Sequence, residues 1–174
     1  MQKWTGRIWM TGLLVFTLAA VGCASTSLQK FNLTVSLDPA YMQKTGGVVT
    51  KVDVVALGGE QAKTLDSVVM SGYWGNPWRQ QLLNDQMVWT VELSPTADAA
   101  TLRASDKLWT KSWKTGDQLF ILADITGVGP KADGSDPRRL KLPRQSDRWD
   151  TKALSVKVNA FGLTYSPPEK SAAQ

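Results

Sequence analysis

Apolar and polar side chains alternate along the segment that begins near residue 31. The apolar ones occupy every second position: Phe31, Leu33, Val35 and Leu37. This period of two predicts a β-strand with one buried face. Asp38-Pro39 ends the strand, and Gly46-Gly47 closes the loop that follows. Comparable patterns predict further strands over residues 48–57, 86–93, 119–125, 139–142 and 154–165, the last with a bulge at Gly162.

Helical signals are fewer and shorter. Residues 60–74 predict a short helix, with apolar positions on one face, followed by an aromatic turn that Asn76-Pro77 is expected to end. Ser105 is placed to cap a second helical turn over residues 106–113. The strand at 119–125 is almost wholly apolar, which predicts burial on both faces. We therefore predict an all-β sandwich of six to eight strands, immunoglobulin-like, with one or two short helical insertions.

The amino-terminal segment has the pattern of an export signal. Lys3 and Arg7 precede an apolar run over residues 8–21, which is shorter than the roughly 20 residues that a membrane span needs. Cys23, the single cysteine of the chain, follows that run directly. The alternative is a secreted protein cut near Ala20 with an incidental thiol.

This segment resembles the signal of bacterial lipoproteins, in which small residues lead into an acylated cysteine. The resemblance implies that residues 1–22 are removed and that Cys23 carries the lipid. Ala20 stands where the family usually has leucine. Ala24, where enterobacterial lipoproteins kept at the inner membrane have aspartate, favours the periplasmic face of the outer membrane. Two or more acyl chains make such an anchor stable.

Removal of the signal leaves residues 23–174, a length that suits one domain. We expect a lipidated tether over 23–29, a single sandwich domain over 30–165 and a disordered tail over 166–174. A net charge of +3 for this part does not require a nucleic-acid partner. Without a second cysteine, packing alone must hold the fold.

The residue types argue against catalysis. The chain has no histidine, which removes the commonest general base and the usual ligand of catalytic zinc. Its three glutamates are far apart in sequence, and a Ser-X-X-Lys match at Ser27 lies on the tether. We predict a protein that is not an enzyme and has no cofactor or metal.

Several segments are candidate contact sites. Tyr41 and Met42 lie among polar neighbours in the loop after the first strand, and we expect them to contact a protein partner. Trp74 and Trp78 could stack on a glycan or a partner, or cap the core. The Asp133-Gly134-Ser135-Asp136 segment could offer oxygens to calcium, although an ordinary turn is favoured. A basic stretch over residues 131–148 could meet acidic groups, although interspersed aspartates favour a solvated loop.

The order of these features resembles that of the outer-membrane lipoproteins of type VI secretion systems. It runs from the lipoprotein signal through two strands and an aromatic helical insert at 65–78 to the strand at 88–93, which ends in Ser-Pro, and then to the strands at 119–125, 139–143 and 156–158. The long loop at 127–137 and the Trp74-Gly75-Asn76-Pro77-Trp78 segment depart from it. The resemblance implies a transthyretin-like sandwich that holds the periplasmic domain of an inner-membrane protein. We expect a lipoprotein that docks another envelope protein; the alternative is a module that binds peptidoglycan or another glycan.

Overall fold

Two four-stranded sheets pack face to face in the computed structural model, which describes residues 27–170. The first sheet has the order β4-β1-β7-β8 and the second has the order β3-β2-β5-β6. Neighbouring strands are antiparallel except β1 and β7, which are parallel. The prediction of an all-β sandwich is confirmed. The strands are β1 Asn32–Leu37, β2 Thr50–Leu57, β3 Trp89–Leu93, β4 Ala99–Leu102, β5 Gln118–Ala123, β6 Arg139–Pro143, β7 Ala153–Asn159 and β8 Gly162–Ser166.

The main core lies between the sheets, and tryptophans close one end of it. The inward side chains of β1 are the ones that the alternation predicted. At the start of β1, the Phe31 ring meets Trp149 edge-on at 5.1 Å and Trp109 at 6.0 Å. Each of the core tryptophans Trp109, Trp113 and Trp149 donates its indole N–H to a backbone carbonyl. The large rings are therefore buried without leaving a polar atom unpaired.

A second core lies on the outer face of the second sheet, beneath three helices. These are α2 (Gly59–Ser67), α3 (Met70–Tyr73) and α4 (Pro77–Asn84). Phe120 and Leu122 of β5 point into this layer, whereas Leu119 and Ile121 point into the sandwich. Burial on both faces of this strand, predicted from its continuous apolar run, is confirmed.

The helical expectations need correction at two prolines. The segment after β1 is not an open loop but contains α1 (Pro39–Thr45), with Asp38 accepting a hydrogen bond from the Ala40 N–H. Asn76 likewise caps the start of α4 by accepting from the Trp78 N–H. Proline fits the first turn of a helix, where its missing N–H has no partner to lose. Each Asx-Pro pair therefore follows the end of one element, as expected, and also begins a helix.

The remaining corrections concern turns. Residues 154–165 form the hairpin of β7 and β8 rather than one strand, because the chain reverses at Ala160-Phe161. Gly162 has a φ of +134° and lies against Pro137, where a Cβ atom would be only 2.4 Å from the proline ring. Strand β4 was not predicted. A disordered tail was predicted from residue 166, but residues 166–170 contact the domain. Ser166 belongs to β8, and the Lys170 N–H donates to the Arg148 carbonyl at 2.9 Å.

One charged cluster joins the helical layer to the sheet. The Asp53 carboxylate of β2 is fully buried and accepts hydrogen bonds from Arg79 Nε at 2.7 Å, Thr90 Oγ1 at 2.7 Å and Tyr73 Oη at 3.0 Å. Burial and the Asp53 charge raise the pKa of Tyr73. Burial alone would lower the pKa of Arg79, but the hydrogen bonds and charge of Asp53, together with smaller contributions from Tyr73, outweigh it, so the pKa is raised. None of the helices within residues 27–170 is long and apolar enough to cross a membrane.

Candidate docking surface and tethered end

Strand register divides the sandwich into two ends. At one end, β1 begins and β6 stops, and the chain arrives there from residue 27; we call this the tether end. There the Gln29 N–H donates to the Arg144 carbonyl at 2.6 Å, which joins the segment before β1 to the segment after β6. At the other end, β1 stops, β2 begins and the β7–β8 hairpin turns; we call this the distal end. The two ends differ in which side chains they expose.

The tether end holds the incoming chain by hydrogen bonds with the segment after β6. Leu28 forms a β-bridge with Gln145, and the Ser146 N–H donates to the Ser27 carbonyl at 2.9 Å. The Gln29 side chain donates to the Thr151 carbonyl at 3.2 Å. The entering segment is therefore part of the folded domain from residue 27 onward. Residues 27–29, which were expected to belong to a tether, are paired with the domain.

Arg144 lies beneath this entry point and is almost fully buried. Its guanidinium donates to the carbonyls of Gln29 at 3.1 Å and Trp113 at 2.7 Å, and also to that of Gly116. Its Cζ lies 5.0 Å from the centre of the Trp109 ring. Burial lowers the pKa of Arg144 to about 10, and the charge of Asp117 acts in the opposite direction. The side chain therefore stays charged at neutral pH and joins the segment after β6 to two others, the backbone at Gln29 and the turn over residues 113–116.

The distal end exposes apolar side chains that the sequence analysis did not single out. Phe161, at the tip of the β7–β8 hairpin, is 85% exposed. Val48 and Val49, just before β2, are 55% and 51% exposed. Phe161 lines one side of a groove whose other side is α1, including Ala40 and Lys44. A hairpin tip usually has polar residues, so the exposed phenylalanine has no structural need that we can identify.

The predicted contact residues Tyr41 and Met42 lie at this end but differ in exposure. Tyr41 is only 4% exposed and belongs to the main core. The reason is that the segment forms α1, which turns Tyr41 inward. Met42 is half-buried and packs against the same core. Whether these two residues contribute to partner binding stays a prediction.

Trp74 and Trp78 both pack partly against the helical core. The Arg79 guanidinium lies 4.9 Å from the centre of the Trp74 ring, and Tyr73 meets that ring edge-on at 5.2 Å. A sugar stacking on Trp74 would compete with the arginine for the same ring. Glycan binding by this pair stays a prediction, and neither ring stands free in solvent.

The basic stretch is largely used within the domain. Arg138 pairs with Asp136 at 2.6 Å, and Arg148 pairs with Glu169 at 2.9 Å. Arg139 donates to the Leu65 carbonyl near the end of α2 at 2.6 Å. Within residues 27–170, no group of three or more potential metal-ligating side chains converges. Asp133 instead accepts hydrogen bonds from the Ser135 backbone and side chain, as in an ordinary turn.

Comparisons with known structures return proteins of type VI secretion systems. The T6SS lipoprotein TssJ1 from Pseudomonas aeruginosa superposes with a TM-score of 0.52 at 14% identity, over 84% of this chain and 99% of that chain. Serratia marcescens Lip, described as a membrane-bound component of the type VI secretion system, gives 0.45 at 12% identity, over 80% and 98%. A chain from the structure of the T6SS protein TssM C-terminal domain from EAEC gives 0.48 at 17%, over 79% and 97%.

No protein-family model matches the sequence, and no curated protein matches it significantly. The likeness to TssJ1 shows that this chain has a sandwich of the same kind.

Proposed function

We propose that this chain is a lipoprotein, anchored through Cys23 to the periplasmic face of the outer membrane, that docks another envelope protein with its distal end. The partner would be the periplasmic domain of an inner-membrane protein in a type VI secretion complex. Three features support this: the lipoprotein-like segment before Cys23, the fold shared with TssJ1, and the apolar side chains exposed at the distal end.

The exposure of Phe161 is the observation that carries the docking proposal. A solvated aromatic ring on a tight turn forfeits the free energy that its burial would supply, which is about 2 kcal/mol or more. Val48 and Val49 expose further apolar area at the same end. Docking would bury all three side chains, and aromatic residues often dominate the energetics of interfaces.

The position of the two ends suits such a role. Strands of four to eight residues separate the tether end from the distal end, a distance of roughly 13–26 Å at about 3.3 Å per residue. An anchor at Cys23 would attach the tether end to the membrane. The distal end would then point into the periplasm, toward a partner that comes from the inner membrane.

A binding measurement tests this proposal. The mature chain from residue 23, with Cys23→Ser to keep it unlipidated, is titrated with the purified periplasmic domain of the inner-membrane secretion protein from the same genome. We expect binding, and we expect Phe161→Asp to weaken it by about tenfold or more. Val69→Ser is the matched control, because Val69 is 67% exposed but lies on the helical layer.

Two results would contradict the proposal. If the wild-type chain does not bind the partner domain, the secretion role is wrong. If Phe161→Asp and Val69→Ser bind as tightly as the wild type, the partner contacts some other surface.

A further inference from the structure

Exposed cationic side chains surround the tether end. We call them the basic collar: Lys30, Arg103, Lys107, Lys111, Lys114 and Lys152. None of the six forms a salt bridge with an acidic residue among positions 27–170. Residues 1–26 and 171–174 contain no aspartate or glutamate that could pair with them. The collar therefore carries positive charge that the acidic side chains of the described domain leave unpaired.

Two grooves place these side chains on either side of the incoming chain. One, of about 350 Å³, is lined by Leu28, Lys30, Trp109, Thr110, Lys114 and Arg144. The other, of about 340 Å³, is lined by Ser27, Leu28, Gln29, Lys30, Ala104 and Lys152. The grooves share Leu28 and Lys30, so they flank the same stretch of backbone. No carboxylate lines either of them, which favours an anionic ligand over a cationic one.

Most acidic side chains at this end are engaged elsewhere. Asp106 caps α5 (Lys107–Thr110) by accepting from the Leu108 N–H at 2.9 Å. Asp150 pairs with Lys170 at 2.8 Å, and Glu169 pairs with Arg148. Asp147, which is exposed, and Asp117, which lies near Arg144, form no salt bridge among the described residues. Together with Asp106 they set three carboxylates without a salt bridge against the six cations of the collar, so this end keeps a net positive charge.

The tether is too short to keep this end away from the membrane. Four residue steps separate Cys23 from Ser27, where the folded domain begins, and such a segment spans at most about 14 Å when fully extended. The proposed anchor would hold the collar within one or two Debye lengths of the headgroups, since that length is about 8 Å at physiological ionic strength. At such distances, basic side chains are attracted to anionic lipid surfaces.

We propose that the basic collar binds the phosphate groups of anionic phospholipids and holds the tether end flat against the membrane. This inference rests on the proposed lipid anchor, because the anchor is what brings the collar to the bilayer. The contact would give the domain a fixed orientation, with Phe161 directed away from the surface. A flexible tether by itself would let the domain tumble.

Vesicle binding by the unlipidated chain tests the collar separately from the anchor. The mature chain carrying Cys23→Ser retains both sheets and both cores, since all of them lie within residues 27–170. It is sedimented with vesicles of phosphatidylcholine alone or of phosphatidylcholine mixed with phosphatidylglycerol. We expect binding to the anionic vesicles, weakened by added salt, and little binding to the neutral ones.

Matched charge variants locate the contact. The triple variant Lys30→Gln/Lys114→Gln/Lys152→Gln should lower partitioning onto anionic vesicles about 100-fold, or roughly fivefold per removed charge. The control Lys44→Gln/Lys131→Gln/Lys157→Gln removes the same charge from exposed positions away from the tether end and should have a much smaller effect. Circular dichroism melting confirms that both variants are folded.

Equal losses in the two triple variants, or equal binding to neutral and anionic vesicles, would overturn the collar. Either result would leave lipid attachment at Cys23 untouched, since the assay uses no lipidated protein. Conversely, a failure of the native protein to fractionate with membranes would remove the anchor without affecting this measurement.

Discussion

The Arg79 guanidinium donates from Nε to the Asp53 carboxylate across 2.7 Å, and this ion pair joins α4 to the middle of β2. Asp53 is fully buried, and Arg79 is also close to the Trp74 ring. Removing one member of a buried pair leaves the other charge without compensation, which is far more costly than breaking an exposed pair. The pair therefore holds the helical layer on the second sheet.

Replacing Asp53 should destabilise the domain severely. We expect Asp53→Ala to lower the free energy of unfolding by about 3–5 kcal/mol, because it leaves the partly buried Arg79 guanidinium without a counter-ion. Urea denaturation measures this loss. Glu92→Ala is the control, since Glu92 forms only an exposed pair with Lys51 and should cost less than about 1 kcal/mol. Similar losses in the two variants would contradict a structural role for the buried pair.

Arg144 should be irreplaceable even by lysine. A lysine cannot present the planar fork that reaches the carbonyls of Gln29, Trp113 and Gly116. We expect Arg144→Lys to cost about 2 kcal/mol or more, because buried carbonyls lose their donors. Hydrogen exchange should also show faster opening of the segment over residues 27–30. The control Arg148→Lys, at a half-exposed pair in the same region, should change stability by less than about 1 kcal/mol. Unchanged hydrogen exchange over residues 27–30 in Arg144→Lys would contradict the proposal that Arg144 holds this segment.

Asp136 should make a contribution to stability that disappears in acid. Its hydrogen bond from Arg138 holds the pKa of Asp136 below its ordinary value, although partial burial acts in the opposite direction. In acid the unfolded chain then binds the proton more readily than the folded one, so stability is present above about pH 4 and lost as the pH falls.

The variant Asp136→Asn should therefore be less stable than the wild type by about 1 kcal/mol at pH 7. The difference should shrink as the pH falls below about 4, because the carboxyl group of the unfolded chain then binds a proton more readily than that of the folded chain. Thermal melts across this range measure the difference. Asp98→Asn, an exposed carboxylate without a salt bridge among residues 27–170, is the control. A stability gap that persists unchanged at low pH would show that the charge of Asp136 is not its cause.

The strands could be predicted where their side chains alternate or are continuously apolar. The pattern around Val35 and the run through Ile121 each determine which face is buried, so local sequence was enough. The hairpin turn at Ala160-Phe161 was missed because its tip has an apolar ring where a polar turn residue is expected. Phe161 is also the most exposed large apolar side chain of the distal end. The expectation that hairpin turns have polar residues therefore failed at the proposed docking site.

The features that could not be predicted from the sequence depend on contacts between residues far apart along the chain. Arg144 looked like one basic residue among several, and only the fold brings the Gln29, Trp113 and Gly116 carbonyls around it. The basic collar could not be predicted from the sequence for the same reason. Lys30 and Lys152 are far apart in sequence and meet because β1 and β7 run parallel and begin at the same end. The Asx-Pro pairs, by contrast, could have been interpreted as helix starts, since Asp38 and Asn76 are common capping residues.

Membrane fractionation of a Cys23→Ser variant tests the central claim, that the domain is anchored by one end through Cys23. We expect the wild-type protein to fractionate with the outer membrane and to resist extraction by high salt, because acyl chains rather than charges retain it. The variant should fold with the same thermal melt but be released by the high-salt wash. A Cys23→Ser protein that stays with the outer membrane through that wash would contradict the lipid anchor.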